Sequence, residues 1–340
     1  MKKFKIALDA MGSDAGAQNL VDGSILALNS LEEVDIVLVG QRQILSSLLQ
    51  RNGFERERIS IQDADEVVNM DESPKDSLKK RFSSIAVATE LVKNGVVQAL
   101  VSAGNTGATL AHTLTRWRTI QGVKRPAAAA LIPTRKEPVV LIDVGANVDC
   151  RPEHLLQFAI MGSIYAQKVL HRPYPRIGHL SIGEELSKGN RLTHLTQQLL
   201  ARVPINFHGN AEGRDILSGE FDVIVCDGFT GNVLLKFGEA AVELLFSNLK
   251  QGFKKNPLAT LGAIPLKPVF KGLIKKVDYT EYGGVPLLGV DGVAIVSHGQ
   301  SSPKAIKNAI RVACEFVKNN VNEHIKQNIE SMIIYAPETL

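Results

Sequence analysis

Short apolar runs that end in Gly, Asp, Asn or Ser recur along the chain. Lys5–Leu8 leads into Asp9-Ala-Met-Gly12-Ser13-Asp14, and Ala99–Val101 leads into Ser102-Ala-Gly104-Asn105-Thr106-Gly107. Val139–Ile142 leads into Asp143-Val-Gly145-Ala-Asn147. Ile177–Leu180 leads into Ser181-Ile-Gly183-Glu184-Glu185, with Lys188-Gly189-Asn190 beyond. Val223–Val225 leads into Cys226-Asp227-Gly228-Phe-Thr-Gly231-Asn232. Such runs, closed by turn residues, predict strands buried on both faces. Between them the apolar spacing turns helical, over 20–31, 41–50, 85–92, 106–117, 152–168, 192–202 and from Val233 onward. Ser301 or Ser302 caps a last long helix with the stripe Ile306, Ala309, Ile310, Ala313, Phe316 and Val317. Alternating strands and helices predict one α/β domain over residues 1–340 with an open, mostly parallel sheet. In such a sheet the strand exits line one edge, so these loops are expected around one cleft. Gly228 and Gly231 are expected to turn the chain between strand and helix, with helix N–H groups facing an anion.

Three stretches depart from this alternation. Asp63 to Lys80 is polar and irregular, either a solvated loop or a lid over the cleft. Trp117 to Pro126 carries Arg118, Lys124 and Arg125, either a solvated face or a basic rim. Residues 239–278 carry two apolar helical stripes, Val242 to Phe253 and Val269 to Val277, which predict a helical hairpin protrusion at a homodimer interface. At its tip Leu258, Leu261 and Ile264 are ringed by lysines, a composition suited to a partner or an anionic membrane surface.

The 340 residues are 44% hydrophobic and 22% charged, ordinary for a globular chain. The net charge of +4 suits anionic substrates or an acidic partner, and aromatic content of 5% argues against nucleic acid. Three scattered cysteines predict a reducing compartment without disulfides or a zinc site. No signal peptide or membrane-spanning run is expected.

GxGxxG, GxxxxGK[ST], HExxH and GxSxG are absent. What remains is backbone N–H groups, Asn and Thr side chains and scattered cations, which suit a phosphate and developing negative charge. Cys226 reads as a buried structural thiol beside Asp227, with a nucleophile as the alternative. His298 serves as general acid or base, or as a structural hydrogen-bonding group. Lys188 is a phosphate-binding cation or a solvent-facing lysine.

The motifs Asp9-Ala-Met-Gly, Ser102-Ala-Gly-Asn-Thr-Gly, Asp143-Val-Gly-Ala-Asn, Lys188-Gly-Asn, Asp227-Gly-Phe-Thr-Gly-Asn and His298-Gly stand in an order that closely resembles the bacterial phosphate acyltransferase (PlsX) family. The resemblance covers nearly the whole chain. It implies a three-layer α/β/α fold like that of the isocitrate dehydrogenase and phosphotransacetylase group. It also implies transfer of a fatty acyl group from acyl carrier protein to inorganic phosphate for phospholipid synthesis. A homodimer, no metal or organic cofactor, and a cytoplasmic protein peripherally associated with membrane are implied as well. So is the downstream acyl-phosphate:glycerol-3-phosphate acyltransferase as a partner.

On this reading Lys188, Asn232 and His298 are catalytic, and Ser102, Asn105, Thr106, Asn147, Gly228 and Gly231 hold phosphate. Arg116, Arg118, Lys124 and Arg125 dock the acidic carrier. Three departures stand out. Ser13 and Ala15-Gly16-Ala17 replace the usual Gly and His-Ala-Pro, leaving the first loop's conformation open, and Ser181 replaces a frequent Asn. Two rivals are a dehydrogenase of the related fold and a non-catalytic membrane scaffold.

Overall fold

A computed structural model describes residues 3–52, 56–255, 265–277 and 281–332. The strands are β1 (Phe4–Asp9), β2 (Val34–Gly40), β3 (Ile59–Asp63), β4 (Ala99–Ser102), β5 (Ala127–Ile132) and β6 (Val139–Ile142). They continue with β7 (Ile177–Leu180), β8 (Phe207–Ala211), β9 (Val223–Val225), β10 (Val285–Leu288) and β11 (Ala294–Val296). All join one sheet in the order β3-β2-β1-β4-β11-β10-β5-β6-β9-β7-β8.

Each strand alternates its side chains between two cores. Ile6 and Leu8 point into one and Ala7 into the other; Val223 and Val225 oppose Ile224 in the same way. The first core is covered by α1 (Gly16–Leu28), α2 (Arg42–Arg51), α6 (Pro152–Lys168) and α7 (Arg191–Leu200). With them lie α10 (Pro303–Lys318) and α11 (Val321–Met332). The second is covered by α4 (Ser84–Lys93), α5 (Thr106–Trp117) and the start of α8 (Gly228–Lys255). The fold is therefore α/β/α in three layers. Two further helices, α3 (Pro74–Ser77) and α9 (Lys267–Val277), lie outside these stacks.

The sheet is parallel in two blocks. β3, β2, β1, β4 and β11 run one way, and β6, β9, β7 and β8 run the other. Three antiparallel ladders separate the blocks: β11 with β10, β10 with β5, and β5 with β6. Three reversals leave the blocks opposed, so the strand exits cannot share one edge. The shared edge is thus corrected, but the loops after β4, β6, β9 and β11 do gather around one cavity, as expected. The cleft lies over a face of the middle strands, between α5 from one block and α8 from the other. There β5 reads Ala127-Ala-Ala-Ala130, and the small Ala128 and Ala130 leave that face low.

One boundary moved: the helix expected from Val233 begins at Gly228. The expected last helix stands at Pro303–Lys318, and a further one, Val321–Met332, follows beyond Asn320, whose φ is +48°. The tip residues Leu258, Leu261 and Ile264 lie outside the described residues.

Candidate active site

The middle cavity, of about 350 Å³, combines an apolar slot with a polar mouth. Leu110, Ala128, Ala130, Val144, Leu235 and Leu287 line the slot. Thr106, Asn232, Ser297 and His298 line the same space. Thr106 and Gly107 form the first turn of α5, where the positive end of the helix dipole favours an anion.

Asn232 is placed by glycine packing. A Cβ on Gly231 would stand 1.9 Å from the Asp143 carbonyl oxygen, and one on Gly228 2.5 Å from the Asn147 carbonyl oxygen. These glycines let α8 press onto the β6 exit, which brings Asn232 within 3.5 Å of where a Gly145 Cβ would be. They do not serve as turn residues. Their N–H groups donate to the carbonyl oxygens of Asn147, at 2.8 Å, and Asp227, at 3.0 Å. They therefore offer no donor to an anion here, which corrects the expected phosphate role. Asp227 caps α8 by accepting from Thr230 N and Oγ1, both at 2.8 Å.

The β6 exit is wound around Asp143. Its Oδ1 accepts from the N–H groups of Ala128, Gly145 and Ala146, and its Oδ2 from Asn147 N and Nδ2. Burial pushes the Asp143 carboxyl up from its ordinary value, against the downward pull of those donors. Asn147 also donates to Pro126 O at 2.7 Å, so its amide is committed to shaping the loop. Cys226 is 3% exposed, and burial followed by the Asp227 charge pushes its thiol well up, which fits a structural cysteine.

Two more nominated residues prove structural. Ser102 is buried and donates to Asp9 Oδ2 at 2.8 Å. Asn105 caps α5 through Ala108 N, and its Nδ2 donates to the carbonyl oxygens of Met70 and Glu72, both at 2.9 Å. That amide fastens the 63–80 segment to the mouth, where Lys80 pairs with Glu72 and Lys80 Nζ donates to Val67 O. The segment is mostly exposed and is pinned at the buried Ala64, Val68 and Ser77, which matches the solvated loop. The sequence had left a loop and a lid open.

His298 follows β11 and accepts at Nδ1 from Gln300 N at 3.1 Å. The neutral ring then carries its proton on Nε2. Ser13 donates to Gly299 O at 2.7 Å, and Ala15 N bonds the same oxygen at 3.1 Å. The departure at Ser13 thus ties the first loop to the His298 loop. Ser181 likewise donates to Lys188 O at 3.2 Å.

Lys188 is exposed in the β7–α7 loop, folded over Gly183, and does not line the cavity. Arg116 pairs with Glu90 at 3.2 Å and Lys124 with Glu153 at 4.0 Å. Arg116 and Arg118 lie at the end of α5 opposite Thr106, about 16 Å along its axis. Arg125 sits near Cys150 and His154, by the β6 exit. The four proposed docking cations are therefore split between two regions.

Sequence reasoning missed Gly145, Lys236, Glu239, Ser297 and Tyr282 among the cavity residues. Lys236 pairs with Glu239 at 2.8 Å. Starting the helix at Gly228 would have revealed Asn232, Leu235, Lys236 and Glu239 as one helical face.

The fold is that of solved phosphotransacetylases. A phosphotransacetylase from Streptococcus pyogenes superposes with a TM-score of 0.63 at 17% identity, covering 93% of this chain and 94% of that one. A branched-chain phosphotransacylase from Enterococcus faecalis gives 0.57 at 13% identity, covering 92% and 99%. Sequence narrows the class. The fatty acid synthesis protein family model matches residues 4–324. Phosphate acyltransferase from Heliobacterium modesticaldum is 49% identical over 96% of this chain and 99% of its own. That from Moorella thermoacetica is 49% identical over 94% of each. The chain belongs to this phosphate acyltransferase family.

Among the described residues no cluster of His, Cys, Asp and Glu could hold a metal ion, and no helix is long and apolar enough to cross a membrane.

Proposed function

We propose that the chain transfers an acyl group from an acyl carrier protein thioester to inorganic phosphate. A phosphate oxygen attacks the carbonyl carbon, the oxyanion forms and collapses, the carbon–sulfur bond breaks, and acyl phosphate leaves for phospholipid synthesis. The carrying observation is the cleft that joins an apolar slot to Thr106, Asn232 and His298. The first turn of α5 holds phosphate, and the Asn232 amide donates to the oxyanion. His298 Nε2–H donates a hydrogen bond to the leaving sulfur, and the thiolate takes up the proton that the attacking hydrogen phosphate loses. Lys188 acts only if its loop folds inward on substrate.

The exposed apolar side chains of α8 and α9, Phe237 at 72%, Leu244 at 62% and Val269 at 66%, support a homodimer face on the hairpin spanning 239–278. Membrane contact at the hairpin tip, a cytoplasmic location and delivery to an acyl-phosphate:glycerol-3-phosphate acyltransferase complete the reading. The test is acyl phosphate formation from purified protein, carrier thioester and phosphate without added metal. Product that does not depend on phosphate would refute it.

A further inference from the structure

Two cavities on opposite faces of the sheet meet at its rim. One is the slot over Ala128 and Ala130. The other, about 720 Å³, lies against α6 and α10 and is lined by Tyr165, His171, Arg172, Arg311, Glu315 and Lys318 among others. Leu131 and Tyr282 line both.

Their placement follows from the chain. Leu131 comes one residue after Ala130, so its side chain turns to the opposite face, where it packs on the first core. Tyr282 precedes β10 and is held there by two left-handed glycines, Gly283 (φ +89°) and Gly284 (φ +86°). A Cβ on Gly283 would stand 2.5 Å from Asn308 O, so the backbone is pressed onto α10. The Tyr282 hydroxyl donates to Lys276 O at 3.1 Å. Ring and leucine thus divide the two spaces.

The spaces differ in chemistry. The slot is walled by Leu, Val and Ala, which favour each added methylene of a hydrocarbon chain. The second cavity holds charged groups already engaged, among them Arg172 with Asp222 at 2.8 Å and Arg311 with Glu315 at 2.7 Å. Methylenes entering it would remove water from those groups without replacing its hydrogen bonds.

We propose that Leu131 and Tyr282 form the stop that sets the length of acyl chain accepted. This rests on the acyl-transfer reading above. A chain that fills the slot ends at the tyrosine ring, and a longer one must displace it.

The experiment compares kcat/KM for carrier thioesters of a straight-chain series, each longer than the last by two carbons, in parent, Tyr282→Ala, Leu131→Ala, Leu131→Phe and Tyr282→Phe. Opening the stop moves the optimum of Tyr282→Ala and Leu131→Ala to longer chains. Leu131→Phe, whose ring fills the space on the far face, leaves shorter chains as they are and steepens the loss for chains long enough to pass the tyrosine, by about fourfold per methylene excluded. Tyr282→Phe, which keeps the ring, retains the parental profile. The KM for phosphate stays unchanged in all of them. If Tyr282→Ala turns over too slowly, the chain-length dependence of carrier-thioester binding reads the same shift. A parent active with phosphate, but with one profile shared by every variant, overturns the stop alone. A parent that converts no chain overturns the acyl-transfer reading and the stop with it.

Discussion

Replacing Gly231 by alanine tests how the active cleft is assembled. The new Cβ would lie 1.9 Å from Asp143 O and 2.9 Å from Cys226 Sγ. Asp143 is held by five N–H donors, so its loop cannot yield cheaply. Helix α8 must instead retreat, by about 1.5 Å to reach ordinary contact, and Asn232 is the next residue on it. Overpacking of this kind costs about 1–3 kcal/mol of stability. A 1 Å displacement of a positioning group costs up to about 100-fold in turnover. Gly238→Ala on the same helix is the control, because nothing lies within 4 Å of its new Cβ. It should add up to about 1 kcal/mol through helix propensity and leave activity alone. Chemical denaturation and phosphate-dependent acyl phosphate formation measure both variants. Parental stability and turnover in Gly231→Ala would refute the account of how α8 is seated.

Other expectations follow from the same geometry. Asn232→Ala should lower kcat about 100- to 1000-fold with the fold intact, as for a lost oxyanion donor; parental kcat would remove it from the mechanism. Lys188→Ala at parental activity would confine that lysine to the surface. His179, 2% exposed, is pushed down by burial from 6.5 to about 4. A depressed histidine adds stability above its unfolded value, which is lost as pH falls from 6.5 towards 4, on the order of 3 kcal/mol over that window. His179→Gln should flatten this part of the stability–pH curve, and an unchanged slope would refute the assignment. The KM for acyl carrier protein should rise with salt, and Arg125→Glu, nearer the cleft, should raise it more than Arg116→Glu. Equal effects would refute the placement of carrier docking near the β6 exit.

The elements themselves were largely legible in the sequence. Helix 106–117, strand 139–142, helix 152–168 and strand 177–180 stand where periodicity puts them. Local pattern also marked Asp143, Asp227 and the glycines around them as special. Whether a glycine turns a chain or lets a helix touch a strand exit depends on a neighbour distant in sequence, as Asp143 is from Gly231. The roles of Ser102, Asn105 and Asn147 were hidden for a related reason. An Asn that caps a helix and one that greets a ligand look the same until its partners are known, and the partners of Asn105 lie some 35 residues upstream.

The sequence by itself determined the α/β class, the strand exits rich in Gly, Asn and Asp, and the family, because these depend on periodicity and residue type along the chain. Only the tertiary structure decided where the cleft lies. Three antiparallel ladders in the middle of the sheet turn one block against the other, and no local pattern records the direction in which a strand pairs. The alanine run of β5 then became the floor of a slot, since small side chains leave room only where neighbouring helices stand apart above them.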